Sequence, residues 1–329
     1  MTMPVLSPPK PSRVHAVLGV LMPSVCVLIG AILAFLMFPY DLSFLTRIVI
    51  MMILVVSFDL ILGQAGIATL GHAAMYGCGA YMAGLLALNV TQDPLLGLLA
   101  AALAGGLVAW LSGLVLLRTH GVALLMISIA VTMVLQEVAS QARWLTGGAD
   151  GLAGITIGPL LGLFEFDFIG QVAFIYSVCV LAVILVFCQI LIRSPFGLAL
   201  RGIDGSASRM RAIGTPVYRR KVTVYVIAGA IAGIAGALAA QVTGLVGIEV
   251  FNFSLSADVM VMLILGGAGR LYGALIGTLL FMVVHHVAAS IDPFNWLFVI
   301  GLMLLLVVFV LPKGLVSLPG RVTRLWRRA

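Results

Sequence analysis

LGQAGIATLGHAAMYGCGAY, residues 62–81, interrupts two apolar runs with five glycines (Gly63, Gly66, Gly71, Gly77, Gly79) and the polar residues Gln64, Thr69, His72 and Tyr76. A segment whose only task was to cross lipid would avoid this composition. Non-helical backbone at membrane depth persists only where protein or a water-filled cavity surrounds it, because lipid offers no hydrogen bonds. Glycine also lets helices approach closely, so the stretch reads as a tightly packed, broken segment beside a pathway. The function class it points to is transport.

The rest of the chain supplies the membrane. Of its 329 residues 63% are hydrophobic and only 9% charged, against roughly 25% charged in soluble domains. Too few charges remain to cover a globular surface. A membrane barrel would alternate in segments of about 10 residues, whereas these apolar runs approach the ~20 residues of a spanning helix. The fold class is all-α, a polytopic helical membrane protein. Spans are expected near 17–38, 44–62, 72–90, 95–117, 120–138, 168–192, 222–244, 256–268, 271–290 and 294–311, ten segments of which 256–268 is short or re-entrant.

Counting cations orients these segments. With both termini cytoplasmic, 16 of the 18 Lys and Arg residues fall on the inner side and only Arg47 and Arg143 outside, the direction of the positive-inside rule. The net charge of +7 therefore reports orientation, not nucleic-acid binding, since the cations are spread over inner loops and tail. A Pro-rich basic leader (1–16) reads as retained, the membrane domain covers 17–311, and a basic tail (312–329) carries Trp326 for the headgroup level. Cys26, Cys78, Cys179 and Cys188 lie in apolar segments with no metal or disulfide spacing and read as buried hydrophobes.

Two loops carry most of the remaining information. The outer loop 139–167 contains LTGGADGL (145–152). The inner loop 193–221 places seven basic residues against one acid, Asp204. Ser206 can cap a short helix with Ala207, Met210 and Ile213 on one face and Arg209 and Arg211 on the other; Gly214 fits the position past its end and Pro216 blocks continuation. Two readings of this helix stand: a surface helix on lipid headgroups, or a docking helix for a cytoplasmic partner. Elsewhere, LGHAAMYG (70–77) and LGGAGRLYG (265–273) echo one another weakly.

Ionisable residues inside the membrane usually face the bundle interior and mark function. Asp59, Glu137, Asp258, His72, His120, His285 and His286 are the candidates. Most lie near span ends, and Asp59 alone reads as interior. Gly229, Gly233 and Gly236 in GAIAGIAG, with Gly273 and Gly277 in YGALIG, have the small-residue spacing of close helix seams. The chain contains no G-x-x-x-x-G-K-[ST], no H-E-x-x-H and no G-x-S-x-G, so neither P-loop ATP hydrolysis nor an intramembrane enzyme is indicated.

Four blocks, LILGQAGIATLGHAAMYGCGAYMAGLL (60–86), LTGGADGLAGI (145–155), the run from SPFGLALRGI to AGAIAGIAGAL (194–238) and VMLILGGAGRLYGALIGT (261–278), occur in an order that resembles one family. The chain is similar to the longer, LivM-type permease subunits of bacterial branched-chain amino acid ABC importers. The resemblance implies residence in the bacterial inner membrane and several partners: a second permease subunit, two cytoplasmic ATPase subunits that bind ATP and Mg, and a periplasmic solute-binding protein. It implies no cofactor or metal in this chain. It also implies that Asp59, Gln64, Gly66, Thr69, Gly71 and His72 line a translocation path or gate. Arg201, Asp204, Arg209, Met210, Arg211 and Gly214 would couple to the ATPase.

The chain departs from the family pattern where Asp59 replaces a common Asn, Thr69 a Ser, and Arg270 a small polar residue. Arg209 and Met210 stand where alanines are usual, and acids near 205–207 are missing. The coupling loop is therefore expected either to meet an acidic ATPase surface or to couple in an atypical way. Urea, amide and other small polar solutes are alternative substrates, and an ion-coupled carrier using Asp59 or His72 is the alternative mechanism.

Overall fold

In the computed structural model, residues 41–159 and 170–291 are described, with scattered helical positions between 30 and 37 and between 298 and 309. The leader, the tail and most of the first and last expected spans lie outside the described residues. What is described is all-α apart from one two-residue pair. The helices are α1 Leu42–Ala65, α2 His72–Asn89, α3 Pro94–Leu116, α4 Val122–Gln141, the single turn α5 Arg143–Thr146, α6 Gln171–Arg193, α7 Pro195–Gly205, α8 Ala207–Ala212, α9 Val217–Thr243, α10 Phe253–Gly266 and α11 Leu271–Ile291.

Six of these (α1, α3, α4, α6, α9 and α11) are long and apolar enough to cross a membrane. The 18-residue α2 is diluted by His72 and its glycines and tyrosines. At 14 residues, α10 reaches about 21 Å at 1.5 Å per residue, short of the ~30 Å hydrocarbon layer.

Successive helices of the bundle, with α2 and α10 counted among them, run alternately up and down. One end, the basic end, gathers the close of α1, the start of α2, the close of α3, α7, α8 and the start of α9. Here Tyr218 donates to the Leu114 carbonyl at 2.9 Å, and the Arg220 guanidinium stands 5.3 Å from the Phe196 ring centre. At the opposite, acidic end, the Pro94 carbonyl accepts from both Tyr176 (3.4 Å) and Gln241 (2.9 Å), tying α3, α6 and α9. The strands β1 Leu152–Ala153 and β2 Leu245–Val246 pair antiparallel there and bring Leu152 and Ile155 against Gly84 of α2.

The core is centred on α1, where Ile53, Leu54, Val55, Val56, Phe58, Leu60 and Ile61 have no exposed surface. Around it α2, α3 and α9 meet through glycine. A methyl on Gly105 would stand 3.0 Å from the Gly233 Cα, one on Gly79 would overlap the same residue, and one on Gly236 would overlap the Tyr76 carbonyl. Gly266 meets Gly273 and Gly277 as closely between α10 and α11. Outside the core, α3 and α4 expose Leu99, Leu103, Leu107, Met126, Met133 and Val134, as helices solvated by lipid can. Cys188 is buried, but Cys179 is exposed on the outer side of α6, contrary to its expected burial. A thiol on a lipid-facing helix loses nothing by exposure, because the solvent there is apolar.

Candidate functional site

The polar residues of the opening motif gather at the basic end. Helix α1 closes at Gly66, which adopts φ +64°, and its amide donates back to the Ile61 carbonyl. Only glycine enters this left-handed region readily. The Asp204 carboxylate of α7 lies where a Gly66 side chain would be.

The turn 66–71 is buried in part, with Ile67, Thr69 and Gly71 inside and Gly66 exposed, so amides here and at the start of α2 that face inward need internal acceptors. The Leu70 N–H donates to the Ser128 hydroxyl of α4, and the Ala73 N–H to the Ser256 hydroxyl of α10, both at 2.9 Å. His72 opens α2 at 1% exposure. Its Nε2 is hydrogen-bonded to the Ser57 hydroxyl at 2.7 Å, and its ring centre lies 5.3 Å from that of Phe58. Sequence position at a span end thus misleads for His72, which is as interior as Asp59. The Thr69 hydroxyl and His72 Nδ1 have no hydrogen-bond partner among the described residues.

A second cluster lies where α1 meets the α10–α11 turn. Asp59 is wholly buried; its Oδ1 accepts from the Gly269 N–H at 2.7 Å and its Oδ2 has no partner among the described residues. The Gln64 carboxamide donates to the Gly269 carbonyl at 3.1 Å and accepts from Arg201 Nε at 3.0 Å. A single chain of contacts thus runs from Asp59 to the α10–α11 turn, back to Gln64, and out to α7.

Helices α7 and α8 share one residue as their joint. Ser194 caps α7 by accepting from the Gly197 N–H, with Pro195 at the first helical position. Ser206 then ends α7 and caps α8, accepting from the Arg209 N–H at 3.4 Å. Helix α7 buries Gly197, Leu200 and Ile203, whereas α8 buries nothing. Ile213, just past α8, is 73% exposed. The Met210 thioether rests on Gly202, and Arg211 Nε donates to the Ala207 carbonyl of its own helix. Gly214 follows at φ +84° with open space around it. Asp59, Gln64 and Arg201 are brought together, and Gly66 with Asp204; Arg209 and Arg211 lie on α8 and Gly214 just past it, outside both groups.

Residues 41–308, which include all of this site, match the family model described as branched-chain amino acid transport system / permease component. The chain belongs to that permease family. The permease is 30% identical over 304 residues to the high-affinity branched-chain amino acid transport system permease protein LivM of Escherichia coli (strain K12), across 84% of this chain and 70% of the relative. LivM of Salmonella typhimurium is 29% identical over 299 residues, 83% of this chain and 69% of its own. The L-arabinose ABC transporter permease protein AraH of Azospirillum brasilense is 28% identical over 231 residues, 68% of this chain and 66% of its own. No solved structure matches the permease.

Four site residues of the permease escape sequence reading: Ser57, Ser128, Ser256 and Gly269. Each serine is a lone hydroxyl in an apolar run, a pattern as common for a helix satisfying its own backbone. Gly269 carries the better signal, since GGAG between two apolar runs requires a turn. Its partners, though, lie 210 and 205 residues away.

Proposed function

We propose that the permease is a transmembrane subunit of an ATP-driven importer that carries branched-chain amino acids (Leu, Ile or Val) or close relatives by alternating access. The family match over residues 41–308 carries this reading, and the identity to LivM from two bacteria supports its substrate class. The subunit sits in the bacterial inner membrane as ten segments with both termini cytoplasmic, α10 being the short one. It works with a second permease, two ATPase subunits that hold ATP and Mg, and a periplasmic solute-binding protein.

Helix α8 is the docking element for the ATPase, an assignment supported by its lack of any buried residue and by exposed Ile213. Arg209 and Arg211 on it call for an acidic receptor surface. The turn 66–71 shapes the inner gate, with Thr69 and His72 at its core.

In proteoliposomes holding the complete complex, leucine uptake should require ATP. Gly214→Trp should cut uptake at least about tenfold, because the left-handed φ and the open space past α8 are both lost, while membrane insertion stays normal. Uptake insensitive to ATP but abolished by an uncoupler would instead establish an ion-coupled carrier. A second substrate reading, import of another small polar solute, is favoured by the similarity to the arabinose permease AraH. Competition of labelled leucine uptake by arabinose, urea and amides separates the two.

A further inference from the structure

The peptide groups of Gly269 are held in an unusual way. A residue in a turn ordinarily satisfies its N–H and C=O locally or in water. Gly269 gives both to side chains of one distant helix, its N–H to Asp59 and its C=O to Gln64. Asp59 and Gly63, four residues apart, share a face of α1, and Gln64 lies about 100° further round the helix, so Asp59 and Gln64 flank Gly63 on either side. Between the two polar side chains Gly63 leaves a bare seat: a methyl there would stand 2.8 Å from the Gly269 Cα and would overlap its amide nitrogen. Gly269 in turn takes φ +84°, and Gly267, two residues earlier, φ +106°.

What is seated is a stiff hairpin. The 14-residue α10 is fused to α11 by backbone contact at Gly266, Gly273 and Gly277, so the two helices move together. What holds the seat is also connected. The same Gln64 carboxamide that grips Gly269 accepts from Arg201, and Arg201 lies on α7, which is joined end to end through Ser206 to α8. Displacement of α8 must act on Gln64, and through it on the hairpin.

We propose that Asp59, Gly63, Gln64 and Arg201 form a releasable fastener that slaves the α10–α11 hairpin to the cytoplasmic helices, and that the hairpin is the element whose motion opens the inner end of the path. The proposal rests on the importer reading. Within it, Asp59 and Gln64 are positioning residues, not substrate contacts. Gln64 is the crossbar, because its two ends engage two different parts. The second oxygen of Asp59, without a partner among the described residues, does not serve the grip, so an asparagine carbonyl can replace the carboxylate at this position.

The test uses the assembled transporter in proteoliposomes, with native cysteines replaced and a reporter cysteine at exposed Ala268 (A268C) on the hairpin turn. Reaction with a water-soluble maleimide is timed without nucleotide and with ATP plus vanadate. With Gln64 intact, the labelling rate should differ at least about fivefold between the two states. Gln64→Glu keeps the acceptor for Arg201 but opposes two acceptors at the Gly269 carbonyl. It should make labelling indifferent to nucleotide and lower substrate moved per ATP at least about fivefold, within the range of ordinary coupling energies. Arg201→Ala should do the same from the other side. Asp59→Asn should retain the nucleotide response that Asp59→Ala loses.

A normal nucleotide response and transport ratio in Gln64→Glu would overturn the fastener. So would equal labelling in both states of A268C with Gln64 intact and ATP-driven uptake normal, an outcome that leaves the importer itself standing. Absence of ATP-driven uptake by the unmodified complex would overturn the importer reading first.

Discussion

At the scale of single residues, absence of a side chain matters as much as presence. Gly233 is pressed between two neighbours: a Cβ there would stand 3.1 Å from the Ala101 carbonyl carbon and 3.3 Å from the Gly105 Cα, and would overlap the Ala101 carbonyl oxygen. Overpacking against backbone costs about 1–3 kcal/mol. A β-branched replacement gains little of the ~1 kcal/mol by which alanine exceeds glycine as a helix former. Gly233→Val should therefore lower stability by at least about 1–3 kcal/mol, read as earlier loss of monodisperse protein on heating in detergent. An unchanged melting point would mean that the α2–α3–α9 seam yields. The glycine spacing in GAIAGIAG was legible as a seam; that it joins three helices was not, because spacing marks a face and never its partners. Asp59 was legible as interior by its surroundings in α1, and Gly269 was not legible as its partner.

At the scale of elements, the long helices were readable because lipid leaves the backbone one way to satisfy itself, and their lengths follow from membrane thickness. Their ends were less readable. Helix α1 runs to Ala65, beyond the hydropathy limit near 62, because the left-handed Gly66 and not the fading of apolar residues stops it. Helix α9 begins at Val217, five residues before the expected 222, since Arg219, Arg220 and Lys221 ride its first turns as helix. The inner loop fared better: Ser206, Gly214 and Pro216 are local signals, and α8 lies within the limits they set. The pair Leu152–Val246 and Ala153–Leu245 gave no warning, since two residues are too few for any period.

At the scale of the molecule, charge and architecture agree. Arg193, Arg201, Arg209, Arg211, Arg219, Arg220 and Lys221 crowd one end, whereas Asp93, Asp150 and Glu249 lie towards the other. Cysteines replacing Ser208 on α8 and Ala149 in the GGADG loop, both exposed, check the orientation. In intact cells a membrane-impermeant maleimide should label position 149 and spare 208, and inverted vesicles should reverse this. Labelling of both from one side would overturn the ten-segment topology with cytoplasmic termini.

The turn between α1 and α2 also has a consequence for biogenesis. It leaves the ribosome early, yet the acceptors for its amides at Leu70 and Ala73 come from Ser128 and Ser256, 58 and 183 residues further along the chain. Insertion of α1 and α2 therefore precedes closure of the turn between them, which is among the last parts of the subunit to seal. A nascent chain arrested at residue 250 should leave a cysteine replacing the fully buried Thr69 open to a water-soluble maleimide, whereas release of the full-length chain should protect it.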